Sequence, residues 1–287
     1  TVQQVASVYQ TFANDGLRVP LTLVEKCTAA DGTVTTPEVG EPWQETYDQI
    51  VVTAGAVSRT FPIPGIADNA IGLKTIEEAV AIRDRLLSNF DKAANLPAGP
   101  ERDRLLTVVV VGGGFAGIEV FAELRSFASA LVGQYKNIDF DETHFHLIEA
   151  MGRIMPEVSL ETSKWVLKSL DERGATVHLD TQLQSAVDGK IELSSGLSFE
   201  SDLIVWTAGV MANPMVRSTD FFIEERGRIR GRADLHVADE NGDAVPGAWT
   251  AGDNSATPDL SGGGVGGMCV PNAQHAVRQG KLLAKNI

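Results

Sequence analysis

The chain has 287 residues, of which 43% are hydrophobic and 22% charged, a composition that excludes intrinsic disorder, collagen and coiled coils. Its 38 acidic against 24 basic residues give a net charge of −14, which argues against nucleic acid or an anionic lipid surface as a direct partner. No apolar run is long enough for a transmembrane helix, and Cys27 and Cys269 are too few and too separated for a disulfide scaffold or a cysteine zinc site. We therefore expect a cytoplasmic protein without a metal.

The predicted elements change character along the chain. Residues 1–42 predict a helix over 1–16, a strand over 18–26 and a hairpin turn at Asp31-Gly32 before a short strand over 33–36. From residue 47 strands and helices alternate, which is the pattern of a parallel sheet covered by helices. The predicted elements there are strand 50–53, helix 75–90, strand 106–111, helix 117–131, strand 144–149, helix 160–173, strand 177–179 and strand 203–207. The segment 95–102 predicts a linker between domains, and the two ends of the chain predict a fragment of a longer protein.

The strongest motif is a glycine-rich turn between an apolar strand and a helix. The apolar run 107–111 is suited to a buried parallel strand, and the sequence Gly-Gly-Gly-Phe-Ala-Gly follows it directly. In such a turn the first glycine permits a tight bend, the second lets a pyrophosphate approach the backbone, and the third lets the helix pack on the strand. The helix N-terminus also attracts phosphate charge. We predict dinucleotide contacts from Gly112, Gly113, Gly114, Phe115, Ala116 and Gly117.

A carboxylate ends the next predicted strand. Glu149 can accept hydrogen bonds from a ribose 2′,3′-diol there and can repel the 2′-phosphate of NADPH. The step from Gly117 to Glu149 exceeds the usual ~20 residues, so the first helix or its loop carries additional residues. The alternative is an ordinary glycine turn and a surface glutamate. The whole pattern favours binding of NAD(H).

Three predicted strands end in the same sequence, Thr-Ala-Gly, at 53–55, 207–209 and 250–252. Small residues at the carboxyl end of a strand let the backbone approach a ligand where open α/β sheets bind cofactors. The alternative is a strand that simply turns at a glycine. The last repeat continues into an aspartate, which can bind a polyol hydroxyl or form an ordinary Asx turn. The predicted ligand contacts are Thr53, Ala54, Gly55, Gly209, Gly252 and Asp253.

Two further side chains are candidates for chemistry. Glu119 falls in the first turn of the helix after the glycine-rich turn, where a dinucleotide passes, although the helix dipole alone also favours an acidic residue there. Pro271 predicts the start of a second helix that carries Ala273 and Gln274 near its positive end. Gln274 can equally be a solvated helix residue.

From about residue 47 to 287 the chain resembles a type II NADH:quinone oxidoreductase of the two-dinucleotide-binding flavoprotein superfamily. The resemblance rests on the sequence at 47–55, the glycine-rich turn with Glu119, Glu149, and the sequences at 206–209, 251–253 and 273–274. It implies an α/β fold in which a Rossmann-like NAD-binding domain is inserted in an FAD-binding domain. It also implies that hydride passes from NADH to FAD and that the reduced flavin then reduces a quinone of the menaquinone or ubiquinone type.

The resemblance implies a role for each matched residue. Gly112, Gly114, Gly117 and Glu149 hold NADH, and Glu119 lies near the contact of nicotinamide and flavin as a relay of protons or charge. Asp253 meets the ribityl chain, residues 53–55 skirt the FAD, and Ala273 and Gln274 lie beside the isoalloxazine and the quinone. The NAD-binding domain with its leading helix is predicted over 67–228, and the FAD-binding domain over 47–66 and 229–287.

The chain departs from the family in three places. Arg278 stands where the family has a second glutamine, with Gln279 one position late. The first glycine-rich turn, which binds the FAD pyrophosphate, is not found before residue 47, so the FAD-binding domain is predicted to be incomplete. The region that docks the full-length family on the cytoplasmic face of the inner membrane is not found either.

Residues 1–42 contain Val5-Ala6-Ser7-Val8-Tyr9, Phe12-Ala13-Asn14-Asp15-Gly16 and Leu23-Val24-Glu25-Lys26, and through these sequences they resemble part of a penicillin-binding transpeptidase domain. Residues 1–46 are predicted to be this fragment with its connector. The sequence contains no Ser-x-x-Lys or Lys-Thr-Gly triplet, so no acyl-transfer site is expected. The leading hypothesis is an FAD-dependent NADH dehydrogenase, impaired in this chain. The alternatives are an NAD(H)-binding fragment without turnover and an inactive fragment of a transpeptidase fusion.

Overall fold

The computed structural model describes residues 27–28, 34–35, 47–261 and 265–287. Two short strands, β1 (Cys27–Thr28) and β2 (Val34–Thr35), pair antiparallel, as the predicted hairpin requires. The helix predicted over 1–16 and the strand predicted over 18–26 lie outside the described residues, as does the turn at Asp31-Gly32.

The chain divides into two compact units. One is Ala54–Arg228, and the other combines the chain up to Thr53 with Ile229–Ile287. Residues 54–66, which the sequence groups with 229–287, pack in the first of these units: Trp206 Nε1 donates to the carbonyl of Arg59 at 2.8 Å. The two units are described separately below.

The unit Ala54–Arg228 contains a five-stranded parallel sheet. Its elements in chain order are β4 (Ala56–Ser58), α1 (Ile66–Asn69), β5 (Ala70–Gly72), α2 (Ile76–Ala93), α3 (Pro100–Leu105), β6 (Thr107–Val111), α4 (Phe115–Val132), β7 (His144–Ile148), α5 (Leu160–Asp171), β8 (Thr176–His178), β9 (Leu183–Ser185), β10 (Lys190–Leu193), β11 (Ser198–Glu200), β12 (Leu203–Trp206) and β13 (Val210–Ala212). The sheet order is β5-β12-β6-β7-β8, with neighbouring strands parallel. The predicted α/β alternation is confirmed, with element ends shifted by at most three residues.

Both faces of this sheet are covered. The five residues of β6 are all buried, and alternate side chains serve two cores. Val108 and Val110 belong to a core with Leu86 of α2 and Phe121 of α4. Val109 and Val111 instead join a core with Ile191 of the antiparallel sheet β9-β10-β11. Burial on both faces explains the uninterrupted apolar run of β6.

The linker predicted over 95–102 is wrong. Pro100 starts α3, because its fixed φ suits the first turn of a helix. Arg102 is buried and donates from Nη1 to the carbonyls of Ala93 at 3.2 Å and Leu96 at 3.0 Å. Its Nε also pairs with Glu142 at 2.8 Å. The segment is therefore fixed inside one unit.

The second unit has a smaller sheet and the last helix. Its elements are β3 (Ile50–Val52), β14 (Ile229–Arg230), β15 (His236–Ala238), β16 (Ala244–Thr250), β17 (Ser255–Ala256) and α6 (Ala273–Asn286). β16 pairs parallel with β3 and antiparallel with β15. Pro271 does not begin α6; Asn272 is its N-cap and accepts from the His275 N–H at 2.8 Å. Among the helices that the structure describes, none is long and apolar enough to cross a bilayer.

Candidate functional site

The glycine-rich turn lies at the carboxyl end of β6 and requires glycine at two positions. Gly112 has φ +112°, and a Cβ built on it would lie 2.7 Å from Thr207 Oγ1. A Cβ on Gly117 would overlap the carbonyl oxygen of Gly112. Only glycine therefore allows α4 to approach the turn this closely, which is the packing that the sequence predicts.

Gly114 differs from these two glycines because the fold does not require it. Its φ of −73° and ψ of −177° are open to any residue. A Cβ built on Gly114 would meet nothing within 4 Å in the described part of the chain, apart from its chain neighbours and its own helix. The backbone at this position therefore faces open space, as close approach of a ligand requires.

Helix α4 presents an uncompensated N-terminus to the same space. Its N-cap, Gly114, supplies no capping side chain, and the described first turn contains no acidic residue. Phe115 and Ala116 begin the helix and are exposed. Glu119 is also exposed, but it lies in the second turn rather than the first, because α4 begins at Phe115, two residues before its predicted start. The partial positive charge of the turn is thus available to an anion.

Glu149 connects the end of β7 to the glycine-rich turn. Its side chain is buried, with 8% of the residue exposed. Oε2 accepts from the Gly113 N–H at 2.6 Å, and Oε1 accepts from the Met151 N–H at 2.7 Å. Each carboxylate oxygen keeps acceptor capacity for a ribose hydroxyl. The fold therefore holds the predicted ribose acceptor directly beside the turn.

The end of β12 is the third strand end beside the glycine-rich turn. Thr207 Oγ1 donates to the carbonyl of Val111 at 2.9 Å, which ties this strand end to the glycine-rich turn. Gly209 follows with φ +143°, and its carbonyl accepts from the Arg59 N–H at 3.1 Å. The carboxyl ends of β6, β7 and β12 thus meet, and the structure brings together the predicted residues 112–117, Glu149 and Gly209.

In the other unit, the ends of β3 and β16 meet because the two strands are parallel neighbours. Ala251 N–H donates to the carbonyl of Val52 at 3.3 Å, so Thr53 and Gly252 follow adjacent strand ends. Asn254 is fully buried, and its Nδ2 donates to the Val52 carbonyl at 3.0 Å and to Thr250 Oγ1 at 3.1 Å. The sequence analysis did not identify Asn254, because a single asparagine after Gly-Asp carries no signal of a contact about 200 residues away.

Helix α6 also holds the Gly252–Asp253 turn. Gln279 is buried, and its Oε1 accepts from the Gly252 N–H at 2.7 Å. Gln279 stands one position after the place where the family has its second glutamine, and it contacts the strand end. Arg278, which occupies that place, is exposed. A shallow cleft lies between the turn and the start of α6, lined by Gly252, Asp253, Asn272, His275 and Gln279.

The remaining predicted residues lie at the surface or in the first unit. Ala273 and Gln274 are exposed at the start of α6. Ala54 and Gly55 belong to the unit Ala54–Arg228, where the Gly55 carbonyl accepts from the Asn213 N–H at 3.0 Å. Within the described ranges, no group of three or more histidine, cysteine, aspartate or glutamate side chains could hold a metal ion.

Comparison with known proteins identifies the family. The model of the pyridine nucleotide-disulphide oxidoreductase family matches residues 10–280, nearly the whole chain. The chain belongs to this family. The resemblance to type II NADH:quinone oxidoreductases is confirmed, whereas the comparisons do not show the transpeptidase resemblance of residues 1–42.

Two relatives of the chain are named type II NADH:quinone oxidoreductase. The type II NADH:quinone oxidoreductase of Haemophilus influenzae is 32% identical over 84% of this chain and 55% of its own length. The corresponding protein of Mycobacterium tuberculosis is 27% identical over 87% of this chain and 53% of its own length. The chain thus spans about half the length of these relatives.

Solved structures of the pyridine nucleotide-disulphide oxidoreductase fold match as well. NDH2 from Plasmodium falciparum in complex with NADH superposes with a TM-score of 0.65 and 22% identity, covering 81% of this chain and 47% of that one. A ferredoxin reductase from Rhodopseudomonas palustris gives 0.64 and 20%, covering 96% of this chain and 60% of that one. The two-dinucleotide-binding flavoprotein fold predicted from the sequence is confirmed.

Proposed function

We propose that this chain is the NADH-binding part of an FAD-dependent NADH:quinone oxidoreductase, which moves hydride from NADH to flavin and electrons onward to a quinone. The observation that carries the proposal is the turn at 112–117, where Gly114 faces open space between a helix N-terminus and the Glu149 carboxylate. The relatives named for NADH:quinone oxidoreduction support the same assignment.

The residues of the turn act by binding and orientation. The backbone of Gly112, Gly113 and Gly114 lets the pyrophosphate approach closely, and the N-terminus of α4 holds it, because the helix dipole favours negative charge. Glu149 accepts hydrogen bonds from the adenosine ribose hydroxyls. Phe115, Ala116 and Gly209 border the space through which the dinucleotide extends toward the nicotinamide.

On the flavin side, FAD would supply the hydride acceptor, and the protein would supply position and charge. Asp253 holds the ribityl hydroxyls on a turn fixed by Gln279, and residues 53–55 follow the adjacent strand end. Ala273 and Gln274 at the start of α6 border the flavin ring and the quinone, where the helix dipole favours added negative charge. Glu119 would relay a proton or charge during hydride transfer.

These flavin contacts are fewer than a whole FAD site provides. The sequence contains one glycine-rich turn set between a strand and a helix, and its strand and carboxylate assign it to NADH. The ribityl and dipole contacts that remain contribute only about 1–3 kcal/mol each. The 287-residue chain by itself therefore binds FAD weakly and turns over slowly. If the chain binds no FAD at all, it is an NAD(H)-binding fragment without turnover, which is the second candidate function.

The test is flavin reduction under anaerobic conditions. The purified chain is mixed with FAD and NADH, and the loss of visible flavin absorbance is followed before and after menadione is added. We expect a colourless preparation, slow bleaching above the rate for free FAD, and little menadione reduction. A yellow preparation with stoichiometric flavin and fast turnover would show that the chain is a complete enzyme. Bleaching at only the free-FAD rate would favour the NAD(H)-binding fragment.

The origin of residues 1–42 in a transpeptidase-like sequence is a separate proposal, supported only by its sequence motifs. The family match begins at residue 10 and so overlaps this segment. If the segment is foreign to the nucleotide-binding fold, deleting residues 1–42 leaves NADH affinity unchanged. A loss of more than about tenfold in affinity, 1.4 kcal/mol, would show that it completes the nucleotide-binding fold.

The location and electron acceptor follow from the type II resemblance. We propose a quinone of the menaquinone or ubiquinone type and, for the full-length family, the cytoplasmic face of the inner membrane. For this chain itself we propose a cytoplasmic location, which its partition between supernatant and vesicles of inner-membrane lipids would test. The net charge of −14 predicts that this chain stays in the supernatant with anionic vesicles.

A further inference from the structure

The loop after β8 brings a second carboxylate to the proposed adenosine end of the site. Thr181 N–H donates to the Glu149 carbonyl at 3.0 Å, and Asp180 N–H donates to the Met151 carbonyl at 3.1 Å. These bonds join the loop after β8 to the loop after β7. Asp180 is one of four described non-glycine residues with positive φ, at +49°, a conformation that aspartate tolerates better than most residues.

The carboxylate of Asp180 lies over Gly152. A Cβ built on Gly152 would be 3.0 Å from Asp180 Oδ1 and 3.2 Å from Oδ2. Glycine at this position therefore leaves the space that the carboxylate occupies, three residues after Glu149. Asp180 is exposed, so its charge faces the solvent through which a ligand enters.

The two carboxylates differ in how much of their charge a ligand meets. Glu149 is buried, and both of its oxygens already accept from backbone N–H groups, which compensate part of its charge. The nearest cation along the loop, Arg153, is directed elsewhere, since its Nη2 donates to the carbonyls of Met155 at 3.1 Å and Val158 at 2.6 Å. A 2′-phosphate beside the loops after β7 and β8 would therefore meet uncompensated negative charge mainly from Asp180.

We propose that Asp180 is a specificity-determining residue that excludes 2′-phosphorylated dinucleotides by charge, while Glu149 acts mainly by accepting ribose hydrogen bonds. The proposal rests on the proposed function, because it assumes that NADH binds at the turn. It assigns ribose hydrogen bonding to Glu149 and exclusion by charge to Asp180, although a single carboxylate at the strand end is usually expected to supply both. Gly152 supports Asp180 by leaving room for its carboxylate.

The experiment compares dissociation constants of NADH and NADPH for the full chain and three variants at low ionic strength. Asp180→Asn removes the charge but keeps a residue that tolerates positive φ. Asp188→Asn is the matched control, because Asp188 is also exposed and has φ +52° but lies on the turn between β9 and β10. Gly152→Ala keeps the charge and displaces the carboxylate.

We expect Asp180→Asn to tighten NADPH binding about threefold to tenfold and to leave NADH within twofold, with the gain shrinking as salt screens the charge. Gly152→Ala should give a smaller gain in the same direction, and Asp188→Asn should give none. Unchanged NADPH affinity in Asp180→Asn, or an equal gain in Asp188→Asn, would overturn the role of Asp180 while leaving the NADH site intact. If the wild-type chain binds neither nucleotide, the proposed function fails, and this inference with it.

Discussion

At the scale of single residues, Gly114 is a position where we expect ligand binding, but not folding, to require glycine. Gly114→Val places a side chain where the described structure has open space, so we expect the free energy of unfolding to fall by no more than about 1 kcal/mol, the cost of a poorer N-cap. NADH affinity should fall tenfold or more, about 1.4 kcal/mol, because the pyrophosphate loses its approach to the backbone. Paired thermal melts and NADH titrations measure both effects.

The control for this variant is Gly117→Ala, whose Cβ would overlap the Gly112 carbonyl. This change should lower the melting temperature markedly, since the helix must move away from the turn. A Gly114→Val variant that binds NADH as the wild type does would refute close approach of the pyrophosphate at this position.

Glu149 accepts hydrogen bonds from two backbone N–H groups, and in the proposed site it also accepts hydrogen bonds from the ribose hydroxyls. Glu149→Ala removes the acceptor for the ribose hydroxyls, so we expect the preference for NADH over NADPH to narrow by about 1–3 kcal/mol. The same change releases the Gly113 and Met151 N–H groups, which lowers stability as well. Dissociation constants for the two nucleotides measure the preference. Tighter binding of NADPH than of NADH by the wild type would contradict it.

At the scale of elements, helix α2 buries one polar side chain without a partner. Asn89 is fully buried, and neither Nδ2 nor Oδ1 has a hydrogen-bond partner among the described residues. Replacing it by leucine, which has the same number of side-chain heavy atoms, removes the desolvation cost of the amide. We expect Asn89→Leu to raise the free energy of unfolding by about 1–3 kcal/mol in denaturant titrations. An unchanged or lower free energy of unfolding would contradict this expectation.

Strands β7 and β8 place two histidines in contact. His146 Nδ1 lies 3.0 Å from His178 Nε2, and the His146 ring stacks on Phe199 at 4.2 Å between centroids. Burial, with a smaller contribution from the neighbouring His178, lowers the pKa of His146 from 6.5 to about 4, and burial also lowers the pKa of His178. Both rings are therefore neutral in the folded protein at neutral pH.

This pair predicts acid sensitivity. The unfolded chain binds more protons than the folded chain between pH 6.5 and about 4, so stability is complete above pH 6.5 and declines as the pH falls toward 4. The His146 shift corresponds to a loss on the order of 3 kcal/mol. Urea denaturation across this range should show the decline, and His146→Phe should reduce it. An equal decline in the variant would assign the effect to other groups.

The elements that the sequence predicts correctly are those with long apolar runs or complete motifs. β6, α4 and β7 combine both, so their order and the contact of Gly112–Gly117 with Glu149 could be predicted. The sheet β9-β10-β11 was missed because its strands are short, with three, four and three residues. Residues 95–102 read as a linker because Pro and Gly dominate there, whereas Arg102 fixes the segment through contacts that no local pattern encodes.

The candidate site shows the same limit. The glycine-rich turn is a local motif, and its geometry follows from sequence. Gln279 and Asn254 act on strand ends through tertiary contacts, and their positions become interpretable only when α6 and β16 are seen side by side. Glu119 lies in the second helical turn rather than the first because α4 begins at Phe115, two residues before its predicted start at Gly117.

At the scale of the whole molecule, the proposed function assigns a different nucleotide to each of the two units. The unit Ala54–Arg228 carries the complete glycine-rich turn, strand-end carboxylate and helix N-terminus that a dinucleotide needs. The unit with Ile229–Ile287 carries the Asp253 turn and the start of α6, but no second turn of that kind among its described residues. The relatives that the chain half covers are named type II NADH:quinone oxidoreductases.

The most direct test is calorimetric titration of the 287-residue chain with NADH and, under the same conditions, with FAD. The account predicts saturable binding of one NADH per chain, and FAD binding that is weaker or too weak to saturate. Absence of saturable NADH binding, or FAD binding tighter than that of NADH, would contradict it.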